Sequence, residues 1–277
     1  DVFIDAMGQL NRNNGLGKEV LAFILVPAGH AGANKELLHN LELPYQAVTS
    51  TDLYLTHYLN DSANDPVMNR IRAQKLRNSE EDKVKIFFVP SYLNGDDGVL
   101  NMPYYDLLVG MDLTAFPSYY EPWGYTPLES LAFKVPTITT TLAGFGLWVK
   151  EHYNMNHPGI EVIHREDGDA SNVATAIAEW VKNYTQVGET EMQKDRDNAK
   201  DVSRIALWDN LINYYKQAYT IALNQVSVRL KDLPANMNES VSYIEKQLTV
   251  NNPSWVSVMI HRSIPEKLIA LEELSKN

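Results

Sequence analysis

Apolar residues recur at positions 2, 3, 6, 7 and 10 of Asp1-Val-Phe-Ile-Asp-Ala-Met-Gly-Gln-Leu10, the spacing of one helical face. Gly15-Leu-Gly17 stops that helix. Glu19 to Pro27 then reads as a buried strand, because branched and aromatic side chains crowd it without polar alternation. Residues 34–80 are polar and irregularly helical, a long insertion between strands. Within it, Asp65-Pro-Val-Met-Asn-Arg-Ile-Arg72 predicts a helix opening at an Asp cap with Pro at its first position. Elements then alternate quickly. Lys83 to Val89 reads as a strand, Pro103 to Val109 as a short helix and Leu113 to Phe116 as a strand. Pro127 to Lys134 reads as a helix opening at Thr126, and Thr137-Ile-Thr139 as a strand.

Short apolar strands that each lead into a helix form a parallel sheet covered on both faces, since right-handed crossovers place the helices there. The expected fold class is therefore α/β with a doubly wound, mostly parallel sheet. Gly159-Ile-Glu-Val-Ile163 adds a strand, and helices follow at about 171–184, 189–206 and 208–227. This divides the chain into a sheet-bearing domain over 1–165, helices over 166–230 that pack on it, and a tail over 231–277. The tail carries helical patterns at Glu239–Leu248 and Ile264–Ser275, without an assigned role.

Composition narrows the function. A chain of 277 residues, 44% hydrophobic and 21% charged, buries a sizeable core. Its 24 basic and 35 acidic side chains give a net charge of −11, which argues against nucleic acid or an anionic membrane surface as partner. The absence of cysteine removes disulfides, thiolate metal sites and a cysteine nucleophile. The longest apolar runs, such as Val20-Leu-Ala-Phe-Ile-Leu-Val26, fall far short of the roughly 20 residues that span a bilayer. A cytoplasmic location is expected. Because Asp1 already lies inside a helical pattern, the chain also reads as part of something longer.

In open α/β sheets ligands bind beyond the carboxyl ends of the strands, which directs attention to Pro117–Thr126. A helix start there offers bare N–H groups and partial positive charge to a phosphate or diphosphate, and Gly124 leaves the backbone accessible. Glu121 lies in the loop, where a carboxylate can accept from sugar hydroxyls and stabilise an oxocarbenium-like charge. A structural turn around a buried Trp123 accounts for the same residues. Glu129 reaches a ribose diol in one reading; in the other, Thr126-Pro-Leu-Glu129 is a capping box. Asp167-Gly-Asp169 reads as a turn before the next helix rather than a metal pair, and the seven histidines show no ligand spacing. Gly144-Phe-Gly146 lacks the third glycine of a dinucleotide fingerprint, with Val149 in its place. No metal and no cofactor are expected.

Asp112-Leu-Thr-Ala-Phe-Pro-Ser-Tyr-Tyr-Glu-Pro-Trp-Gly-Tyr-Thr-Pro-Leu-Glu129, followed by Pro136-Thr-Ile-Thr-Thr-Thr-Leu-Ala-Gly-Phe-Gly146, closely resembles the donor-site region of glycogen synthases of the animal and fungal type. Looser similarity runs from Asp1 to about Leu223. The resemblance implies the Rossmann-like C-terminal half of a GT-B glycosyltransferase. It implies retaining, metal-independent transfer of glucose from UDP-glucose to the end of an α-1,4-glucan such as glycogen. By the same resemblance Glu121 lies beside the donor glucose and Glu129 near the ribose, while Trp123, Gly124, Tyr125 and Thr126 form the sugar- and diphosphate-binding turn. Tyr104 stacks on uracil, with Tyr92 opposite. The family's donor-phosphate Arg and Lys and its acceptor-side N-terminal domain match nothing here, so the chain alone is expected to be inactive. Lys194-Asp-Arg-Asp-Asn-Ala-Lys200 with Arg204 is thinner in arginine than the family's regulatory helix. A homo-oligomer is compatible with all of this. Other readings are a non-catalytic nucleotide- or glucan-binding module, or a related retaining transferase with another donor or acceptor.

Overall fold

A computed structural model describes residues 1–13, 15–42, 54–153 and 159–231, with side chains to residue 225. The patterns at Glu239–Leu248 and Ile264–Ser275 lie outside the described residues. The chain divides into two compact units, 1–206 and 207–277.

The first unit opens on helix α1 (Val2–Asn11), whose stripe Val2, Ile4, Ala6, Met7 and Leu10 is buried. Strand β1 (Val20–Leu25) follows and pairs in parallel with β4 (Val84–Val89), Val20 opposite Val84 and Leu25 opposite Val89. A second parallel sheet has the order β5 (Thr114–Ala115), β6 (Thr137–Thr140), β7 (Ile160–Ile163). The α/β class expected from the sequence is present. Every residue of β6 is buried, as a central parallel strand covered on both faces requires.

Between β1 and β4 the insertion holds helices, as expected over 34–80, but also a strand within that span and a partner strand just before it. Strands β2 (His30–Ala33) and β3 (His57–Leu59) pair antiparallel, and helices α2 (Lys35–Glu42) and α3 (Pro66–Ala73) accompany them. The strand signal was absent because His30-Ala-Gly-Ala33 carries no bulky alternation, and the segment is fixed by side-chain bonds instead. Asn34 Nδ2 donates to Leu55 O at 2.9 Å, while its Oδ1 accepts from Glu36 N at 3.1 Å. The cap expected on α3 is there, with Asp65 accepting from Met68 N at 2.9 Å and Pro66 opening the helix.

The remaining helices of this unit are α4 (Tyr104–Leu108), α5 (Tyr125–Ala132), α6 (Gly144–His152), α7 (Ala170–Tyr184) and α8 (Glu189–Arg204). One core joins α1, α3 and α7 to both parallel sheets through Met7, Ile71, Ile86, Phe88, Ile138 and Ile177. Each such fully buried side chain contributes about 1.5–3 kcal/mol. A second core sets Leu131, Phe145, Val149, Val162 and Val202 between α5, α6, β7 and α8. In the second unit, α9 (Trp208–Lys231) sets the Trp208 ring tilted against Tyr215 at 5.1 Å and places Tyr219 edge-on to Tyr215 at 6.4 Å.

Candidate functional site

The loops at the carboxyl ends of β4, β5, β6 and β7 carry the chemistry-bearing residues. The loop after β5 is bound to the loop after β6 through backbone. Glu121 N donates to Leu142 O at 3.0 Å, Gly144 N to Glu121 O at 3.0 Å, and Phe145 N to Trp123 O at 2.6 Å. The first amides of α6 are thereby used by the neighbouring loop, which closes that helix start to an anion. Gly144 is required because a Cβ there would run into the carbonyl of Pro122.

The start of α5 is different. The expected cap at Thr126 is overturned, because the cap position belongs to Gly124 and no side chain caps the helix. Tyr125 and Thr126 are already helical, and the Thr126–Glu129 capping box is therefore not made. Gly124 has φ 102°, a left-handed conformation that turns the loop into the helix and explains the glycine independently of any ligand. An added Cβ would lie 3.4 Å from Glu121 Cγ and 3.3 Å from Pro127 Cγ, so Gly124 lets the Glu121 side chain fold close to the helix start. As the first two helical positions, Tyr125 and Thr126 have N–H groups with no intrahelical acceptor, and Tyr125 is 70% exposed.

Trp123 points inward rather than outward. Its ring packs edge-on to Phe145 at 5.9 Å and lies 6.1 Å from Trp148, so the aromatic that anchors the turn belongs to the second core.

The structure brings Glu129 together with Tyr104, and adds Tyr105. Burial and the negative charge of Glu129 raise the Tyr104 phenol above its ordinary value. Tyr105 is raised mainly by the Glu129 charge, and its hydroxyl is hydrogen-bonded to that carboxylate. Tyr105 also stacks on Phe133 at 5.0 Å, joining α4 to α5. Tyr92, by contrast, stands 77% exposed on the loop after β4. That loop is fixed from below. Asp97 accepts from the amides of Val99 at 3.0 Å, Leu100 at 2.8 Å and Asn101 at 2.8 Å, and its carbonyl is 2.8 Å from Nε2 of the fully buried His57.

Sequence reasoning missed Arg165 as well. It follows β7, is 8% exposed, donates Nη1 to Pro117 O at 2.6 Å and lies 5.2 Å from the ring centre of Tyr119. The available signal was a lone cation just past a strand's carboxyl end. It matters because no Lys or Arg occurs between Lys85 and Lys134, the stretch that supplies most of the site. Asp167-Gly-Asp169 serves turn geometry as expected: Asp169 Oδ2 accepts from Glu166 N at 2.9 Å and Asp167 accepts from the Tyr119 hydroxyl. Within α8, Arg196 is committed to Asp112 and to Met111 O, each at 3.0 Å.

Residues 47–267 match the family model described as glycogen synthase, and the chain belongs to the glycogen synthase family. It is 27% identical to glycogen [starch] synthase isoform 2 of Saccharomyces cerevisiae over 81% of this chain and 41% of that protein. It is 32% identical to the glycogen [starch] synthase of Caenorhabditis elegans over 69% of this chain and 28% of that protein. The liver enzyme of Mus musculus is 31% identical over 61% and 24%. The chain thus spans less than half the length of the curated relatives it matches. Among solved structures, WaaG, a glycosyltransferase involved in lipopolysaccharide biosynthesis, aligns over 72% of this chain and 46% of its own at 16% identity and a TM-score of 0.36, a likeness too loose to argue from.

Proposed function

We propose that the loops after β4 and β5 form the donor half of a retaining glucosyltransferase site, used in the full polypeptide to transfer glucose from UDP-glucose to the end of an α-1,4-glucan. The observation that carries this reading is the convergence of Glu129 and Tyr104 beside the free amides of Tyr125 and Thr126. The base stacks on Tyr104, opposite Tyr92, and Glu129 accepts from the ribose hydroxyls. The diphosphate lies at the α5 start, where the helix dipole and bare amides offset the charge that builds as the glucosyl–oxygen bond breaks. Glu121, adjoining Gly124, faces the glucose and stabilises its developing positive charge.

Six carboxylates and no cation lie between Lys85 and Lys134, so the donor phosphates need basic groups from outside this stretch. In this reading those groups, together with the acceptor-binding domain of the GT-B architecture, belong to other parts of a cytoplasmic enzyme, and no metal is required. Isothermal titration on the full polypeptide tests it. UDP and UDP-glucose should bind ahead of ADP-glucose, with Tyr104→Ala and Glu129→Gln each weakening UDP roughly tenfold, about 1.4 kcal/mol. Glu121→Gln should abolish turnover while leaving UDP affinity within about twofold, a difference of under 0.5 kcal/mol. Binding of glucan without nucleotide preference would instead establish a non-catalytic module.

A further inference from the structure

No residue from 91 to 107 is buried as a whole, and none of the apolar side chains in that stretch joins either core. The loop that carries Tyr92 therefore lacks an apolar anchor. Its anchor is polar. The side chains of Asp97 and His57 are both fully buried, and Nε2 of His57 lies 2.8 Å from the Asp97 carbonyl and 3.9 Å from Asp97 Oδ1. His57 is in turn tied to the strand from which the loop departs. Thr56 N donates to Phe88 O at 3.0 Å, and Phe88 N donates to Tyr54 O at 2.6 Å. Thr56 Oγ1 lies 3.1 Å from Phe88 O and 2.9 Å from Nδ1 of His57. A polar path thus runs from the end of β4 through Thr56 and His57 to Asp97, which gathers the amides of residues 99–101. The same loop leads into α4, where Tyr104 N donates to Leu93 O at 3.1 Å, next to Tyr92.

The neighbours of His57 dictate where its protons go. A carbonyl oxygen only accepts, so Nε2 carries a hydrogen. Two arrangements then satisfy the same heavy atoms. In one, the Thr56 hydroxyl donates to Nδ1 and the ring is neutral. In the other, the hydroxyl turns to Phe88 O, Nδ1 donates to Thr56 Oγ1, and the ring is a cation facing the Asp97 carboxylate. The ring can take up a proton by the rotation of one hydroxyl. Asp97 and His30 are the titratable groups that face it. The His30 ring, on β2, packs edge-on at 4.7 Å, and its Nδ1 accepts from Gly32 N at 3.2 Å, a bond that exists only while that nitrogen is unprotonated.

We propose that His57 is a positioning residue for the donor base: through the Asp97 carbonyl it holds Tyr92 opposite Tyr104, and it holds more firmly as a cation. This rests on the reading of Tyr92 and Tyr104 as the pair that stacks on uracil. A hydrogen bond from imidazolium, backed by the carboxylate at 3.9 Å, is stronger than one from neutral imidazole. The nucleotide binds the held loop, and the held loop favours the added proton. Binding therefore takes up a proton, and it tightens as pH falls through the range in which imidazoles change charge.

Titration calorimetry with UDP-glucose on the full polypeptide, paired with amide hydrogen exchange without nucleotide, tests this. UDP-glucose suits the purpose because its diphosphate gains no proton between about pH 8 and about pH 6, where imidazoles do. His57→Leu should speed exchange across residues 92–101 and weaken UDP-glucose, each at least about tenfold. His57→Gln keeps an N–H for the Asp97 carbonyl and should bind within about threefold of wild type. Wild-type affinity should rise about two- to fivefold from about pH 8 to about pH 6 and stay flat in His57→Gln. Three results overturn the proposal and leave the donor reading intact: wild-type affinity in His57→Leu, no rescue by His57→Gln, or the same pH profile in wild type and His57→Gln. Should His57→Leu fail to fold, the pH profiles decide. Unchanged exchange in a folded His57→Leu shows that the loop does not hang on His57 and overturns the proposal whatever binds. Wild type that binds no UDP-glucose removes the donor reading and the proposal together.

Discussion

Two loops bring the candidate site together, and they are held by different means. The loop after β5 is fixed mainly by backbone: Glu121 and Trp123 exchange three bonds with Leu142, Gly144 and Phe145, and the buried Arg165 holds Pro117. The loop after β4 is fixed by one carboxylate, Asp97, which gathers three amides while His57 holds its carbonyl. A backbone clamp depends on close approach and fails when bulk is added. A carboxylate clamp depends on charge and fails when protons are added.

The largest effect should come from bulk. Gly144→Ala places a Cβ against the Pro122 carbonyl, which neither α6 nor the clamped loop can yield to without losing the Glu121 and Trp123 bonds. We expect a loss of at least about 3 kcal/mol in urea unfolding of the chain. A loss under about 1 kcal/mol would show that the clamp is not tight.

Charge should come second. Burial acts to raise the Asp97 carboxyl, but the Leu100, Val99 and Asn101 amides outweigh it and hold the group below the ordinary carboxylate range. A carboxyl lowered on folding adds stability that is complete above its unfolded value, near about 4, and is lost as pH falls through the folded value. Asp97→Ala should cost about 2–3 kcal/mol at pH 7 because three loop amides, two of them part-buried, lose their acceptor. Asp97→Asn should flatten the decline of stability on acidification below about pH 4. If the two acid limbs superimpose, the charge of Asp97 does not hold the loop.

Arg165→Met should cost less, about 1–2 kcal/mol, because the side chain fills similar space and the change also removes a buried Nε that has no partner. Thermal unfolding checks the size, and a stabilised variant would reverse the role given to Arg165.

The same contrast explains what the sequence revealed. Elements made by apolar periodicity were legible at once: α1, β1, β4 and α7 fall within a residue or two of expectation. The segment Tyr119–Glu129 was legible through its wording, but its mechanics were not. The Gly124 turn starts α5 before Thr126, and the Trp123 ring belongs to the core. Least legible was everything set by long-range polar bonds, such as Asn34 to Leu55, His57 to Asp97 and Arg165 to Pro117. Those bonds leave no periodic trace, since each joins residues at least 21 positions apart.

The smallest expected effect is the one that connects the two loops. Tyr105 stacks on Phe133 and hydrogen-bonds Glu129, so it sits where the helix after one loop meets the helix after the other. Tyr105→Phe keeps the stack and removes the hydroxyl. Because Tyr105 is exposed, stability should not change measurably. UDP affinity should nevertheless shift about two- to fivefold, because Glu129 loses the bond that orients it. The direction reports what the hydroxyl does: weaker binding means that Tyr105 aims Glu129 at the ribose, and tighter binding means that it competes with the ribose for the same carboxylate. An unchanged affinity with unchanged stability would detach Glu129 from nucleotide binding and leave the α5 amides and Tyr104 as the whole of the donor contact on this side.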